Sequence, residues 1–314
     1  MKFGLKFVYD TKVRPRYEYS FKLTSMFYAT QWDFDGRRSY IPFEYEGKLS
    51  CVVIREFHED LKLEIFSESS ESILIEKALK IASHVMGFDE DLSEFYELVL
   101  NDKILWPIGW PLRGIHLRAV PGVWEGLVIS ICQQNASFSQ GWRMVINFRK
   151  LFGKRIFIQE YKHECYAFPS PRTIINLGRN ITSAGVGYRY KTILNVAKAI
   201  LSDEDPFTVK GVGEYTRRVS KIISLRDYSK MPVDKWFRKL IPFAYAGARE
   251  EWSTRRIEEF AEKKWGKWAG LSAIMLTAIT AAEPISSLLR KLERGFLTPI
   301  PAKPSPLTLW RYKI

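Results

Sequence analysis

Apolar and polar residues alternate singly through much of the first hundred positions of this 314-residue chain, and recur at helical spacing beyond them. Tyr17–Phe21, Tyr40–Tyr45 and Lys62–Phe66 alternate as half-buried strands do, and Leu49–Ile54 reads as a further strand. Between about Ile73 and Leu100 the period turns helical, with Ile75, Leu79, Ile81, Ala82 and Val85 on one stripe. Residues 1–108 are therefore expected to form an antiparallel sheet with one or two helices packed on it. From about Pro111 the spacing predicts helices almost throughout. They cover Trp124–Leu151 (broken near Asn135), Pro171–Leu177, Tyr190–Leu201, Thr216–Leu225, Lys235–Phe243, Thr254–Trp265 and Trp268–Ala282. Residues 109–314 thus read as an all-α unit, and the whole as an α+β protein. The proline-rich stretch 298–314 is expected to run extended along the surface.

Charge narrows the choice of partner. The formal net charge is +13, which favours a polyanion, nucleic acid before an anionic membrane surface. No apolar run approaches the roughly 20 residues needed to cross a bilayer, so no membrane partner is expected. Nor does the N-terminus carry the apolar core of a signal peptide. Cys51, Cys132 and Cys165 are odd in number and widely spaced, and no His/Cys cluster suggests zinc. These features point to a reduced, intracellular, cytoplasmic protein.

Two segments carry candidate chemistry. In Val209-Lys210-Gly211-Val212-Gly213-Glu214-Tyr215-Thr216 the glycines permit a tight turn and bare the amides of the following helix. Such amides hold a phosphate without reading a base, and Lys210, Arg217 and Arg218 flank them. About twenty residues later, Pro232-Val233-Asp234 precedes an amphipathic helix. Taken alone, Asp234 is an ordinary N-cap carboxylate.

Together the two segments resemble the helix-hairpin-helix superfamily of DNA glycosylases, closest to the 3-methyladenine glycosylase II and 8-oxoguanine branches. Gly126–Ser137, Tyr166-Ala167-Phe168-Pro169-Ser170-Pro171 and Gly185-Val186-Gly187-Tyr188-Arg189 are similar to further family elements in the expected order. The resemblance covers roughly residues 110–280. It implies a core of two lobes with a cleft between them, a hairpin at about 203–225, and a TATA-binding-protein-like N-terminal domain.

By that resemblance, Asp234 stabilises the oxocarbenium-like state at the sugar and orients water, after the base has flipped out of the duplex. Lys210, Gly211, Val212, Gly213 and Arg217 would hold the DNA backbone. Asn135, with Gln134 beside it, would fill the gap left by the base. Tyr215, Val219 and Trp236 would line the base pocket. Bifunctional relatives carry a lysine where Tyr215 stands, so the resemblance implies base release without strand cleavage, and alkylated purines as substrates. No cofactor is required: the family's iron–sulfur cysteines are absent, since no Cys follows Cys165. A sodium or potassium ion on the Gly211 and Gly213 carbonyls is a family expectation. The partner would be double-stranded DNA holding a damaged base, bound by a nucleoid-associated monomer. Two alternatives stand: an 8-oxoguanine or deaminated-base enzyme with lyase activity through Lys235, and a non-catalytic DNA-binding protein in which Asp234 merely caps a helix. An 8-oxoguanine enzyme needs a Gln where Gly270 stands.

Overall fold

The computed structural model describes residues 4–294 and 304–312. Four strands form one antiparallel sheet: β1 (Lys6–Val13), β2 (Arg38–Tyr45), β3 (Lys48–Phe57) and β4 (Asp60–Ser67), in the order β1-β4-β3-β2. Tyr45 pairs with Lys48 across the two-residue loop Glu46-Gly47, whose φ angles are both positive. That is the turn whose twist suits a right-handed hairpin. The strands expected from alternation at Tyr40–Tyr45, Leu49–Ile54 and Lys62–Phe66 all fall within β2, β3 and β4. Tyr17–Phe21 does not form a strand. Ser20 accepts the Leu23 N–H and starts a short helix, α1 (Phe21–Met26), and the Tyr19 hydroxyl donates to the Met86 carbonyl. Capping outcompetes alternation there.

Both faces of the sheet centre are covered. Helix α2 (Ser72–Met86) packs Ala78, Ile81, Ala82 and Val85 against Ile41, Phe43, Val52 and Ile54. On the other face, Tyr40, Cys51, Val53 and Phe66 meet Ile156, Ile158 and Cys165 of a second hairpin. Helices α3 (Ser93–Leu100) and α4 (Trp106–Gly109) complete the N-terminal part.

The remainder is chiefly helical. Helices α5 (Val123–Gln133) and α6 (Phe138–Phe152) are separated at Asn135, which takes a left-handed φ of 47°; a Ser137–Gln140 capping box then restarts the chain. The unexpected hairpin follows, β5 (Arg155–Ile158) and β6 (His163–Tyr166), in strands too short to show a period. Next come α7 (Pro171–Leu177), α8 (Tyr190–Leu201), α9 (Glu214–Leu225), α10 (Lys235–Ala246), α11 (Thr254–Trp265), α12 (Ala269–Ile279) and α13 (Ile285–Glu293). Every residue of α12 except Thr277 is buried, so it is a central helix without a solvent face. Gly126 of α5 lies on Ser220 and Ser224 of α9, where any β-carbon would collide.

Two helical cores result. One joins α5–α8 through Leu127, Ile131, Phe148, Ile193 and Val196. The other joins α10–α12 to α1, α3 and α4, with Phe27, Phe95, Leu240, Trp265 and Met275 at its centre. Residues on both sides of position 108 therefore share one core. The proline-rich end is a correction: within the described part, Ser305, Leu307, Thr308 and Leu309 are buried, and the Pro306 carbonyl accepts the Tyr28 N–H at 2.7 Å. Residues 298–303, 313 and 314 lie outside the described residues. No helix among the described residues is long and apolar enough to cross a membrane.

Candidate active site

The hairpin departs from a plain pair of helices. Between α8 and α9 the chain makes one 3-10 turn at Pro206–Thr208, then folds back so that Gly211 rests on Thr192 of α8. Gly211 has a φ of 100°, and a β-carbon there would overlap the Thr192 hydroxyl. Gly213 is different: its φ is −75° and a β-carbon would meet nothing within 4 Å. Helical bonding in α9 begins with the Arg217 N–H to the Gly213 carbonyl, at 3.0 Å. The amides just before it have no helical partner and sit at the positive end of the helix dipole.

Flanking residues divide into two groups. Lys210 is exposed and makes no ion pair among the described residues. Arg217 bonds Glu214 and the Phe207 carbonyl, while Arg218 bonds Glu214, Glu258 and the Met231 carbonyl. These two arginines brace the hairpin and their charge is largely met by carboxylates. Gln134 is likewise tied inward, its amide donating to the Gly211 carbonyl at 3.1 Å and to the Thr216 hydroxyl. The Gly211 carbonyl accepts Gln134, and the Gly213 carbonyl accepts the Arg217 amide. Asn135, by contrast, is exposed, directly after the end of α5. Tyr188 is 63% exposed nearby, and its neighbour Arg189 bonds the Gln134 carbonyl.

Asp234 is the N-cap of α10, with Oδ1 accepting the Phe237 N–H at 2.9 Å. Burial raises its pKa, and the surrounding backbone amides of Phe237, Trp236 and Asp234 itself only partly offset this. Its charge reaches Tyr215, whose hydroxyl is pushed up first by burial and then by Asp234 and Tyr28.

Between the two helical cores lies a cavity of about 200 Å³, whose lining reaches Pro232 and Phe237 on either side of Asp234 but not Asp234 itself. Four helices each present a stripe at helical spacing. These are Glu125, Ile129 and Gln133 of α5; Phe138, Trp142, Val145 and Arg149 of α6; Tyr215, Val219 and Ile223 of α9; and Ala273, Ile274 and Thr277 of α12. Pro232 and Phe237, on either side of Asp234 in the chain, close the wall. Tyr28, from the N-terminal part, enters between them. Its ring stacks on Trp142 at 6.0 Å and its hydroxyl meets the Thr277 hydroxyl.

Of the three residues expected to line the pocket, Tyr215 and Val219 do so. Trp236 does not; its indole donates to the Glu283 carbonyl and its ring packs edge-on against Phe237. Lys235 is exposed and does not line the cavity. Gly270 lies elsewhere too, pressed on Ile222 and the Tyr228 and Lys230 carbonyls. The cavity's aromatic residues that the sequence did not assign to it are Tyr28, Phe138, Trp142, Phe168 and Phe237. Large rings at helical spacing ordinarily signal core, and nothing local joins Tyr28 to Thr277.

The inner end of the cavity is polar. Asp33 pairs with Arg149 at 2.9 Å; burial alone would raise its pKa, but Arg149 holds it at about 2. Glu125 has no such partner among the described residues, and burial drives its pKa to about 8 despite Arg149.

No family model and no curated protein matches this sequence. Solved structures do share its fold. A 3-methyladenine DNA glycosylase from Archaeoglobus fulgidus aligns with a TM-score of 0.71 at 16% identity, over 85% of this chain and 97% of its own. The Clostridium acetobutylicum 8-oxoguanine glycosylase/lyase, in complex with DNA containing cytosine opposite 8-oxoguanine, aligns at 0.66 and 17%, over 93% and 100%. Its apo form aligns at 0.65 and 18%, over 87% and 97%. The chain therefore has the fold of the helix-hairpin-helix DNA glycosylases, an N-terminal antiparallel sheet preceding a helical core.

Proposed function

We propose that this protein is a base-excision DNA glycosylase that hydrolyses the N-glycosidic bond of an alkylated purine flipped out of duplex DNA. One observation carries the reading. An aromatic-walled cavity sits beside a partly buried carboxylate, Asp234, and the same helix that lines the cavity begins at a hairpin with unused amides. The amides and Lys210 bind phosphate; Asn135 and Tyr188, exposed on adjoining turns, enter the gap left by the base.

Asp234 acts on charge that develops in the transition state. As the base leaves, C1′ becomes positive, and a carboxylate held at a helix cap in a poorly solvated place stabilises that charge strongly. The cap bond fixes its position, so little reorganisation is needed. Water supplies the new bond to C1′, and the base departs with the glycosidic electron pair. The rings of Tyr28, Phe138, Trp142 and Tyr215 favour a flat, electron-poor base. Alkylation at a ring nitrogen makes a purine both electron-poor and a better leaving group.

Tyr215 carries no amine, and among the described residues the cavity wall holds no lysine, its cations being the guanidinium groups of Arg118 and Arg149. No imine with C1′ forms, and the product is an abasic site. The test uses duplexes with single 3-methyladenine, 7-methylguanine, 8-oxoguanine, hypoxanthine or uracil lesions. Strand breaks are expected only after hot alkali. Breaks without alkali, or a borohydride-trapped adduct, would show lyase chemistry instead; no release of any base, with DNA still bound, would leave a non-catalytic binder.

A further inference from the structure

Glu125 stands in the cavity wall with its hydrogen-bonding capacity unused. It is the third residue of α5, where a glutamate ordinarily folds back onto the N-cap amide. No such bond forms, and the carboxyl has no hydrogen-bond partner among the described residues. The side chain instead lines the cavity, with part of its surface accessible although protein surrounds it. Neither oxygen is sealed in the wall, as the Gln133 amide nitrogen is. The carboxyl is therefore open to whatever occupies the cavity. Its backbone is pinned: Gly126 presses on Ser220 and Ser224 of α9, and the Trp124 indole donates to the Pro169 carbonyl at 2.7 Å.

The charged groups around Glu125 are engaged with one another. Arg149 of α6 pairs with Asp33 from the loop after α1. Arg118, from the segment before α5, donates to the Ser39 hydroxyl and the Tyr40 carbonyl. Tyr28 and Tyr215 are the other titratable groups of the described wall, and burial raises both. Burial also raises Glu125, against the smaller pull of Arg149, so it keeps its proton beyond the range of an ordinary glutamate. The cavity runs from Pro232 and Phe237, the flanks of Asp234, to Glu125 at its polar end. A base joined to a sugar beside Asp234 thus extends its rings towards Glu125.

Resting on the glycosylase reading, we propose that Glu125 is the acid of the reaction, giving its proton to a ring nitrogen of the departing purine while Asp234 acts at the sugar. The C1′–N9 bond breaks and its electron pair passes into the rings, where the proton from the Glu125 carboxyl neutralises it. Water bonds to C1′ and loses a proton to solvent, from which the Glu125 carboxylate recovers one. A purine made cationic by alkylation leaves without this help. A neutral purine needs it, so the acid extends the substrate range to neutral lesions.

Single-turnover release is measured across pH for duplexes carrying hypoxanthine or ethenoadenine, both neutral, with the wild type and with Glu125→Gln. The variant keeps the side chain's shape and removes the acid. Titration of the base itself is common to both proteins and cancels in the ratio of their rates. For a neutral purine that ratio should be about a hundred-fold or more below neutral pH. It should fall towards unity as pH rises and Glu125 loses its proton. For 7-methylguanine, already cationic, the ratio below neutral pH should stay within about three-fold, which also shows that the variant is folded. A ratio constant with pH, or equal for neutral and cationic purines, would mark a merely structural role and overturn the proposal. So would a wild type that releases 7-methylguanine but neither neutral purine. Failure to release any base from any duplex would instead remove the glycosylase reading.

Discussion

The two glycines of the hairpin should respond oppositely to the same small change. Gly211→Ala places a β-carbon at a φ of 100° and against the Thr192 hydroxyl. A strained backbone of this kind costs about 1–3 kcal/mol, and forcing α8 away from the hairpin adds about 1–3 kcal/mol. The expected destabilisation is about 2–6 kcal/mol. Gly213→Ala meets neither obstacle, since its φ is ordinary and the space around it is open. Its stability should fall by no more than about 1 kcal/mol, the cost of alanine in place of glycine at the N-cap of α9. If that open space is where a phosphate approaches the α9 amides, however, the new methyl group intrudes on it. Binding to duplex DNA should then fall about ten-fold or more, equally for every sequence, because a backbone contact reads no base. Urea unfolding and fluorescence anisotropy with unrelated duplexes separate the two effects. A Gly213→Ala protein that binds DNA as the wild type does would refute the phosphate role. Matching instability in the two variants would refute the geometry.

Other expectations follow from the charges. Asp234→Asn should abolish base release, by at least about a hundred-fold, and leave DNA affinity within a few-fold; retained activity in a release assay would remove Asp234 from the mechanism. Because burial raises the Asp234 pKa, ionising it costs stability once pH exceeds the unfolded value, so Asp234→Asn should also melt later at neutral pH. The acid limb of the wild-type pH–rate profile should lie above the ordinary aspartate range. Glu125 follows the same sign. Its folded pKa of about 8 exceeds the unfolded value near 4.5, so the cost is absent below about pH 4.5, grows as pH rises, and levels off above about 8. Glu125→Gln should therefore gain stability over the wild type progressively from pH 5 to 9 in denaturant titrations; a constant difference would refute this. Lys210→Ala should lower the salt slope of DNA binding by about one. Arg217→Ala should scarcely change that slope, its charge being met by Glu214.

Much of the helical core was legible because its signals are local. Ser170-Pro171 starts α7 and Asp234 caps α10; each involves residues within one turn of one another. The strands β2, β3 and β4 were legible in the same way. Their neighbour β1 was not, because an edge strand exposed along most of its length carries no strong alternation. The hairpin glycines could be recognised as a pair, but their separate duties could not. Only the return of the chain onto Thr192 makes Gly211 obligatory and leaves Gly213 free.

The chain itself determined where a carboxylate, a glycine turn and a tyrosine in place of lysine would stand in order along one stretch of helices. That order depends on short-range capping and periodicity, which survive without tertiary contacts. Tertiary structure decided what surrounds them. It drew Tyr28 to Thr277 and Trp142, sent Trp236 to Glu283, met Arg217 and Arg218 with carboxylates, and left Gln133 without an acceptor. Pocket walls and charge pairing join residues far apart in sequence, so their composition is fixed only when four helices and a distant loop close around the same space.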